Sequence, residues 1–159
     1  MTTVKIITHS GRFHTDEVFG TALLLQICNI PEIIRTRDSE VLKAGKENPK
    51  VIVIDVGKVY DPEMNNFDHH QESFTHTFSR EYTIPLSSCG LIWKHFGEVI
   101  VRGVAGEEVT DSMVEKIYQI MYKKVFLSID GNDNGVKSIK NPFDVEYNYF
   151  YTVTLDEIV

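Results

Sequence analysis

Short runs of apolar residues alternate with longer amphipathic stretches along the first half of the chain. Three runs rich in β-branched residues predict strands at 4–8, 32–37 and 51–56. The third run, VIVIDV, is apolar except for its aspartate, as expected of a parallel strand buried on both faces. The stretches between the runs predict helices at 18–28 and 39–45, the second with Asp38 or Ser39 as its N-cap.

The second half of the chain is predicted to be mainly helical. Apolar residues at helical spacing predict helices at 87–101 and 111–129. Ser87 or Ser88 lies near the start of the first helix, and Asp111 is the expected N-cap of the second. The stretch DGNDNG that follows is dense in turn formers and predicts a loop, and the aromatic C-terminal tail predicts an extended segment.

Strands that alternate with helices are joined by right-handed crossovers and form a parallel sheet covered on both faces. The expected fold is therefore α/β, a three-layer α/β/α arrangement with a mostly parallel sheet. The chain has 159 residues, of which 42% are hydrophobic and 25% charged, which fits one globular domain spanning 1–159.

The chain shows no sign of membrane insertion or secretion in its sequence. No apolar run approaches the ~18 residues of a transmembrane helix, and no basic segment followed by an apolar one opens the chain. Cys28 and Cys89 lie outside any CxxC pattern, which argues against a thiolate zinc site and a disulfide framework. We therefore expect an intracellular protein, cytoplasmic by default, with no membrane association.

Histidines and aspartates follow the predicted strands where those strands end. Ligands of open α/β sheets bind beyond the carboxyl ends of the strands, so these side chains can share one site. They come from four segments: His9, His14 and Asp16; Asp55; Asp68, His69 and His70; and Asp130 with Asp133. A short strand is expected to end at the DHH triplet. Asp55 follows four apolar residues of its strand, where a buried carboxylate without a partner would be energetically costly.

Each of these residues also has an ordinary structural interpretation. Asp16 can stabilise a helix N-terminus electrostatically, and Asp55 and Asp133 can serve in turns next to glycines. A single histidine is more often an ordinary loop residue than a ligand. The convergence of four segments on one edge of the sheet is what favours a metal site.

The residue types in this set indicate the kind of metal. Carboxylates and imidazoles without thiolates suit Mn²⁺, Mg²⁺, Fe²⁺ or Co²⁺ better than structural zinc. The number of acids predicts two divalent cations, Mn²⁺ first with Mg²⁺ or Co²⁺ as alternatives, and Asp55 as the bridging ligand. Neighbouring residues of an extended segment point to opposite faces, so His69 and His70 are expected to have separate roles, one on the metals and the other on substrate phosphate or behind a ligand.

Several of these segments together resemble a known family. FDHHQ, THSGRFHTDE, VIDVG, SSCGLIWKHFG and DGNDNG, in this order, resemble the DHH phosphoesterase superfamily and within it the MYG-type hydrolases. The resemblance implies a metal-dependent 3′-to-5′ RNA exonuclease of nucleus or mitochondrion. It also implies the catalytic residues Asp55, His69 and His70 and the metal ligands His9, His14, Asp16, Asp55, Asp68, His69, Asp130 and Asp133.

The sequence departs from the superfamily's pattern in two places. The first motif of the related pyrophosphatases has an aspartate where this chain has His14, and the spacing here is one residue longer. The family also continues into a second domain that closes over the site, so 1–159 is expected to be a catalytic domain without that C-terminal domain.

The expected substrate is RNA or a short oligonucleotide, and a homodimer is left open. Arg12 and Arg80 are candidates for binding phosphate, and Phe13, Phe74 or Phe78 could stack bases, although aromatic side chains more often serve packing. The net charge of −7 is not that of a sequence-reading nucleic-acid binder. Two alternatives are a small-molecule phosphohydrolase for pyrophosphate or a nucleotide, and a non-catalytic protein that retains the metal site.

Overall fold

The computed structural model of the protein describes residues 4–106, 108–141 and 146–150. A five-stranded sheet and a separate antiparallel pair of strands are formed. The strands are β1 (Lys5–Thr8), β2 (Glu32–Arg35), β3 (Val51–Ile54), β4 (Tyr60–Asp61), β5 (Asn66–Phe67), β6 (Ile139–Asn141) and β7 (Glu146–Tyr147). The helices are α1 (Thr15–Leu24), α2 (Ser39–Lys46), α3 (Ser88–Ala105), α4 (Asp111–Met121) and α5 (Leu127–Asp133), with a 3₁₀ turn at Pro62–Met64 and a π-helical turn at Tyr122–Phe126.

The main sheet has the strand order β2-β1-β3-β5-β4. Its first four strands pair in parallel, and the short β4 pairs antiparallel with β5 at one edge. In the register of the central strands, Ile6 lies between Ile33 and Ile52. The predicted mostly parallel sheet is therefore confirmed.

Helices cover both faces of the sheet. On one face, Ile6, Ile54 and Phe67 pack in a large apolar core with residues of α1, α3 and α4. On the other face, Ile7 and Val53 pack in a smaller cluster that α2 covers. Burial of such side chains stabilises each by about 1.5–3 kcal/mol relative to exposure. The expected α/β/α arrangement is confirmed.

Two helix starts follow the sequence prediction and two do not. The helix predicted at 18–28 is α1, which begins three residues earlier, at Thr15, because the Glu17 carboxylate accepts the backbone N–H of His14. The Ser87 hydroxyl caps α3, and the Asp38 carboxylate caps α2 by accepting two backbone N–H groups. Asp111 was expected to cap α4, but Thr110 is the cap: its hydroxyl accepts from the backbone of Met113 at 3.3 Å. The prediction for Asp111 was wrong by one residue because Thr110 is also a good N-cap.

The predicted loop DGNDNG is mostly helical in the structure. The long helix passes through its π-helical turn into α5, which ends only at Asp133, so Asp130 lies inside a helix. Turn-forming residues favoured a loop, but buried contacts of Asp130 and the packing of Gly131 against Tyr149 hold the helical backbone. The predicted extended tail is confirmed only at β7, and residues 151–159 lie outside the described part.

Within the part of the chain that the structure describes, no helix is both long enough and apolar enough to cross a membrane. Cys89 is buried in the core and Cys28 is half-buried, both as free thiols.

Candidate metal centre

The candidate site lies at the carboxyl ends of three neighbouring parallel strands. His9 follows β1, Asp55 follows β3 and Asp68 follows β5. In the described residues, three groups of His, Asp and Glu have candidate ligand atoms within 4.8 Å of one another. The predicted convergence on one edge of the sheet is therefore seen in the geometry.

The first cluster contains His9, His14, Glu17 and Asp55. His9 Nε2 lies 3.3 Å from Asp55 Oδ2 and 3.5 Å from Glu17 Oε1, and the His9 and His14 rings are 5.0 Å apart. Glu17 is held in place because its Oε2 accepts the backbone N–H of His14 at 2.7 Å at the start of α1. This cluster includes Glu17, which was not among the metal ligands predicted from the sequence.

The second cluster contains Asp55, Asp68, His69 and His70. His70 Nδ1 lies 2.7 Å from Asp68 Oδ1 and 3.5 Å from Asp55 Oδ1. Asp68 Oδ2 accepts the backbone N–H of Lys58 at 2.6 Å, which orients the carboxylate. His69 is buried, whereas the side chain of His70 is 53% exposed and faces the cavity.

The third cluster contains Asp16, His69 and Asp133. His69 Nε2 lies 2.9 Å from Asp133 Oδ2, where α5 ends. Asp16 is fully buried, and its two oxygens accept the backbone N–H groups of Ser88 at 3.2 Å and Cys89 at 2.6 Å. Asp16 therefore both faces the cluster and satisfies the first turn of α3, the favourable position for a carboxylate at a helix N-terminus.

The sequence predicted that the two histidines of the DHH triplet point to opposite faces, and the structure does not show this. Their ring centroids are 4.3 Å apart, and both rings approach Asp55 Oδ1. The expectation was wrong because β5 ends at Phe67, so the triplet lies beyond the paired strand and its side chains need not alternate. The two histidines differ instead in burial: His69 is buried and His70 is open to solvent.

Asp130 is placed outside the three clusters of the described chain. Its Oδ1 accepts the backbone N–H and the hydroxyl of Ser87, at 2.9 and 2.8 Å, and its Oδ2 accepts the Tyr122 hydroxyl at 2.9 Å. Burial raises the pKa of Asp130 to about 7, opposed by these hydrogen bonds. In this geometry Asp130 fixes the position of α5 on α3, and Asp133 is the residue of that segment that reaches the site.

Burial of the carboxylates, followed by their mutual repulsion, dominates the electrostatics of the site. Burial, then the charges of Asp16 and Asp133, raise the pKa of Asp55 to about 9, and burial with Asp133 raises that of Asp16 to about 6. Burial lowers the pKa of His69, but Asp133 and Asp16 outweigh it and raise the value to about 9. Burial raises the pKa of Asp68, but its hydrogen bonds lower it overall.

Buried atoms without partners test whether the residues fit a cation. Among the described residues, His9 Nε2, Glu17 Oε1 and Asp55 Oδ1 are buried and have no hydrogen-bond partner. Buried polar atoms are normally satisfied, and an unsatisfied carboxylate is costly. Asp55 also has a left-handed backbone, with φ of 54°, a conformation that costs a non-glycine residue about 1 kcal/mol. Lone pairs of this kind, on oxygen and imidazole nitrogen, fit divalent cations.

A cavity of about 150 Å³ opens onto the clusters. Its cationic lining residues are Arg37, which follows β2, and Lys58, which follows β3. Arg12 and Arg80, the cations selected from the sequence, are both exposed and do not line this cavity. Arg37 could have been selected, since it is the last residue of a predicted strand at the same edge of the sheet.

The sequence was compared with known proteins. It matches the family described as "Uncharacterised protein family (UPF0160)", MYG1_exonuc, over residues 5–159. The chain belongs to the MYG1 family.

Curated members of the MYG1 family are similar to the chain over nearly all of its length. It is 40% identical to a "MYG1 protein" of Dictyostelium discoideum, over 94% of the chain and 43% of that protein. It is 40% identical to a "MYG1 exonuclease" of Bos taurus, over 95% of the chain and 39% of that protein. It is 36% identical to a "MYG1 protein" of Schizosaccharomyces pombe, over 98% of the chain and 47% of that protein. The chain thus spans less than half the length of these relatives. No solved structure matches it significantly.

Proposed function

We propose that the chain is the metal-binding catalytic part of a metal-dependent phosphodiesterase, a 3′-to-5′ exonuclease acting on RNA or short oligonucleotides. Two observations support this function: curated MYG1 relatives are named exonucleases, and the site gathers carboxylates and imidazoles at the carboxyl edge of the sheet. We further propose that the MYG1 family belongs to the DHH phosphoesterase superfamily, which the motif order supports.

The position of Asp55 between two clusters carries the proposal. Its Oδ2 faces His9 at 3.3 Å, and its Oδ1 faces His70 at 3.5 Å and His69 at 4.0 Å. Asp55 therefore belongs to both the first and the second cluster. A carboxylate with one oxygen toward each of two ligand sets is the arrangement expected of a bridging ligand in a two-metal site.

The residues around Asp55 have different roles in the proposed reaction. Two divalent cations, Mn²⁺ by the ligand set, would supply a nucleophile at neutral pH and Lewis acidity toward the phosphate. His70, exposed in the cavity, is positioned to donate a hydrogen bond to a phosphate oxygen. Arg37 and Lys58 line the same cavity and stabilise a phosphate electrostatically.

The test is Mn²⁺-dependent hydrolysis by the 159-residue chain. RNA labelled at its 5′ end should be shortened stepwise from the 3′ end. Asp55→Asn and His69→Ala should each lower the rate by at least about 100-fold, while Glu63→Gln, an exposed carboxylate outside the clusters, should not. Activity that survives both substitutions would contradict the two-metal mechanism. Tight Mn²⁺ binding without cleavage would favour a non-catalytic metal protein instead.

A small-molecule phosphohydrolase is the second candidate function. The net charge of −7 supports it, since a long polyanion is repelled by most of an acidic surface. Comparing kcat/KM on pyrophosphate, a dinucleotide and a longer RNA separates the two functions, since only the exonuclease is expected to prefer the phosphodiester bonds of the dinucleotide and the RNA.

A further inference from the structure

A second cavity lies beside the metal clusters, between α1 and the edge strand β2. It is a groove of about 300 Å³. Six of the residues that line it are Phe13, Val18, Thr21, Leu25, Ile33 and Arg35. Its walls are thus mainly apolar, and such walls favour a flat or apolar ligand over a phosphate.

Phe13 is an exposed aromatic residue that lines this groove. The Arg35 guanidinium lies 3.8 Å from the ring centroid, and the residue is nevertheless 67% exposed. One face of the ring is therefore covered by the cation, and the rest remains open. A cation–π contact of this kind holds an aromatic ring in a fixed orientation before any ligand binds.

Arg35 is partly engaged within the protein. Its Nη2 lies 3.6 Å from Glu17 Oε1 and donates to the backbone oxygen of Gly11 at 3.2 Å. Its charge therefore offsets that of Glu17. The exposed ring of Phe13 beside it offers a stacking contact to a ligand.

The groove adjoins the first metal cluster through a shared residue. Glu17 lines the groove and is also a member of that cluster, together with His9. Thr8 immediately precedes His9, lines the groove and is only 2% exposed, and its hydroxyl has no hydrogen-bond partner among the residues described. The groove therefore borders the cluster at which the phosphate of a nucleotide would bind.

We propose that the groove between α1 and β2 is a nucleobase subsite in which a base of the substrate stacks on Phe13. The substrate class rests on the proposed exonuclease function, and the location of the base rests on phosphate binding at the metal clusters. Stacking on an aromatic ring tolerates every base, so the subsite discriminates nucleotides from base-free phosphates and not one base from another.

The experiment compares two ligands that differ only in the base. Binding of 5′-AMP and of ribose 5-phosphate to the 159-residue chain with Mn²⁺ is measured by titration calorimetry. Phe13→Ala should weaken 5′-AMP binding about tenfold and leave ribose 5-phosphate unchanged, and Phe13→Trp should restore 5′-AMP binding. Thr21→Leu, which fills the groove from α1, should act like Phe13→Ala. Val99→Ala, an exposed apolar residue of α3 outside the groove, is the matched control and should change neither ligand.

The outcomes separate this subsite from the proposed function. Equal weakening of both ligands, or no effect of Phe13→Ala on 5′-AMP, overturns the subsite. So does a dimer, seen by sedimentation, that Phe13→Ala dissociates while 5′-AMP binding stays intact. Failure of the proposed function shows differently, as absence of Mn²⁺-dependent cleavage of any phosphodiester, including an abasic dinucleotide. A base-dependent 5′-AMP affinity without such cleavage supports the subsite and contradicts the exonuclease.

Discussion

Three features of Asp55 are energetically unfavourable for the folded protein: its carboxylate is buried, its backbone is left-handed and its neighbours are negatively charged. Structures keep such strained and charged residues where function depends on them. The apolar run before it made Asp55 conspicuous in the sequence, because an unpaired buried carboxylate has no structural benefit. The same reasoning predicts that the site, and not the fold, needs its charge.

Asp55→Asn is therefore expected to stabilise the metal-free protein. The pKa of Asp55 rises from 3.8 to about 9 on folding. Its contribution to the stability of the folded state is therefore most favourable below pH 3.8 and is lost as the pH rises through about 9. An asparagine side chain does not ionise, so Asp55→Asn does not lose this stability at high pH. We expect Tm at pH 8 to rise by about 2–4 °C or more and at pH 4 to change little, measured without metal by scanning calorimetry. A lower Tm at pH 8 would show that the charge supports the fold.

Mn²⁺ affinity is expected to increase with pH. The raised pKa values of Asp16, Asp55 and His69, about 6, 9 and 9, mean that the metal-free site holds protons near neutral pH. Ligands must lose these protons to bind a cation, so the Kd for Mn²⁺ should fall by up to about tenfold per pH unit for each proton released. Titration at pH 6, 7 and 8 in two buffers of different ionisation enthalpy measures both affinity and protons released. A Kd that is constant across this range would contradict the raised pKa values.

The candidate residues of the site were predictable to different degrees. His9, Asp55 and Asp68 were found because each follows a strand, and the rule that ligands bind at carboxyl ends applies directly. Glu17 was missed because an acidic residue in the first turn of a helix already has an electrostatic explanation. Arg37 was missed because it is distant in sequence from the histidine motifs, although its strand brings it to the same cavity.

At the level of elements, pattern and composition predicted the strands of the parallel sheet but not where α5 ends. The loop prediction for DGNDNG rested on local turn propensity. The helix continues because Asp130 is held by Ser87 and Tyr122, contacts that are 43 and 8 residues away in sequence. Such long-range contacts override propensity and are not visible in a local window.

The close approach of α3 and α5 gives a matched pair of glycine substitutions. A Cβ at Gly90 would overlap the Asp130 carboxylate, whereas a Cβ at Gly103 in the same helix meets nothing within 4 Å. Gly90→Ala should destabilise the protein by about 1–3 kcal/mol through overpacking. Gly103→Ala should stabilise it by up to about 1 kcal/mol because alanine favours the helix. Urea denaturation measures both, and equal effects would contradict the packing of Asp130 on α3.

For the whole molecule, the three clusters concentrate His, Asp and Glu at one edge of an acidic protein. The fold class followed from the order of strands and helices, because few arrangements bury alternating strands and helices. Which side chains meet within the site depends instead on loop conformations such as that of the DHH triplet after β5. The sequence therefore predicted the location of the site better than its internal geometry.

Bound cations should stabilise the entire fold, since the clusters join α1, three strands and α5. A ligand at about 100 times its Kd stabilises the native state by about 2.7 kcal/mol, which for a domain of this size corresponds to a Tm increase of about 5–10 °C. Mn²⁺ should produce this increase and EDTA should reverse it. Asp55→Asn should abolish most of the Tm increase, because the first and second clusters lose the carboxylate that they share. Glu63→Gln should retain the Tm increase. An equal shift in Asp55→Asn would place the bound Mn²⁺ elsewhere on the acidic surface.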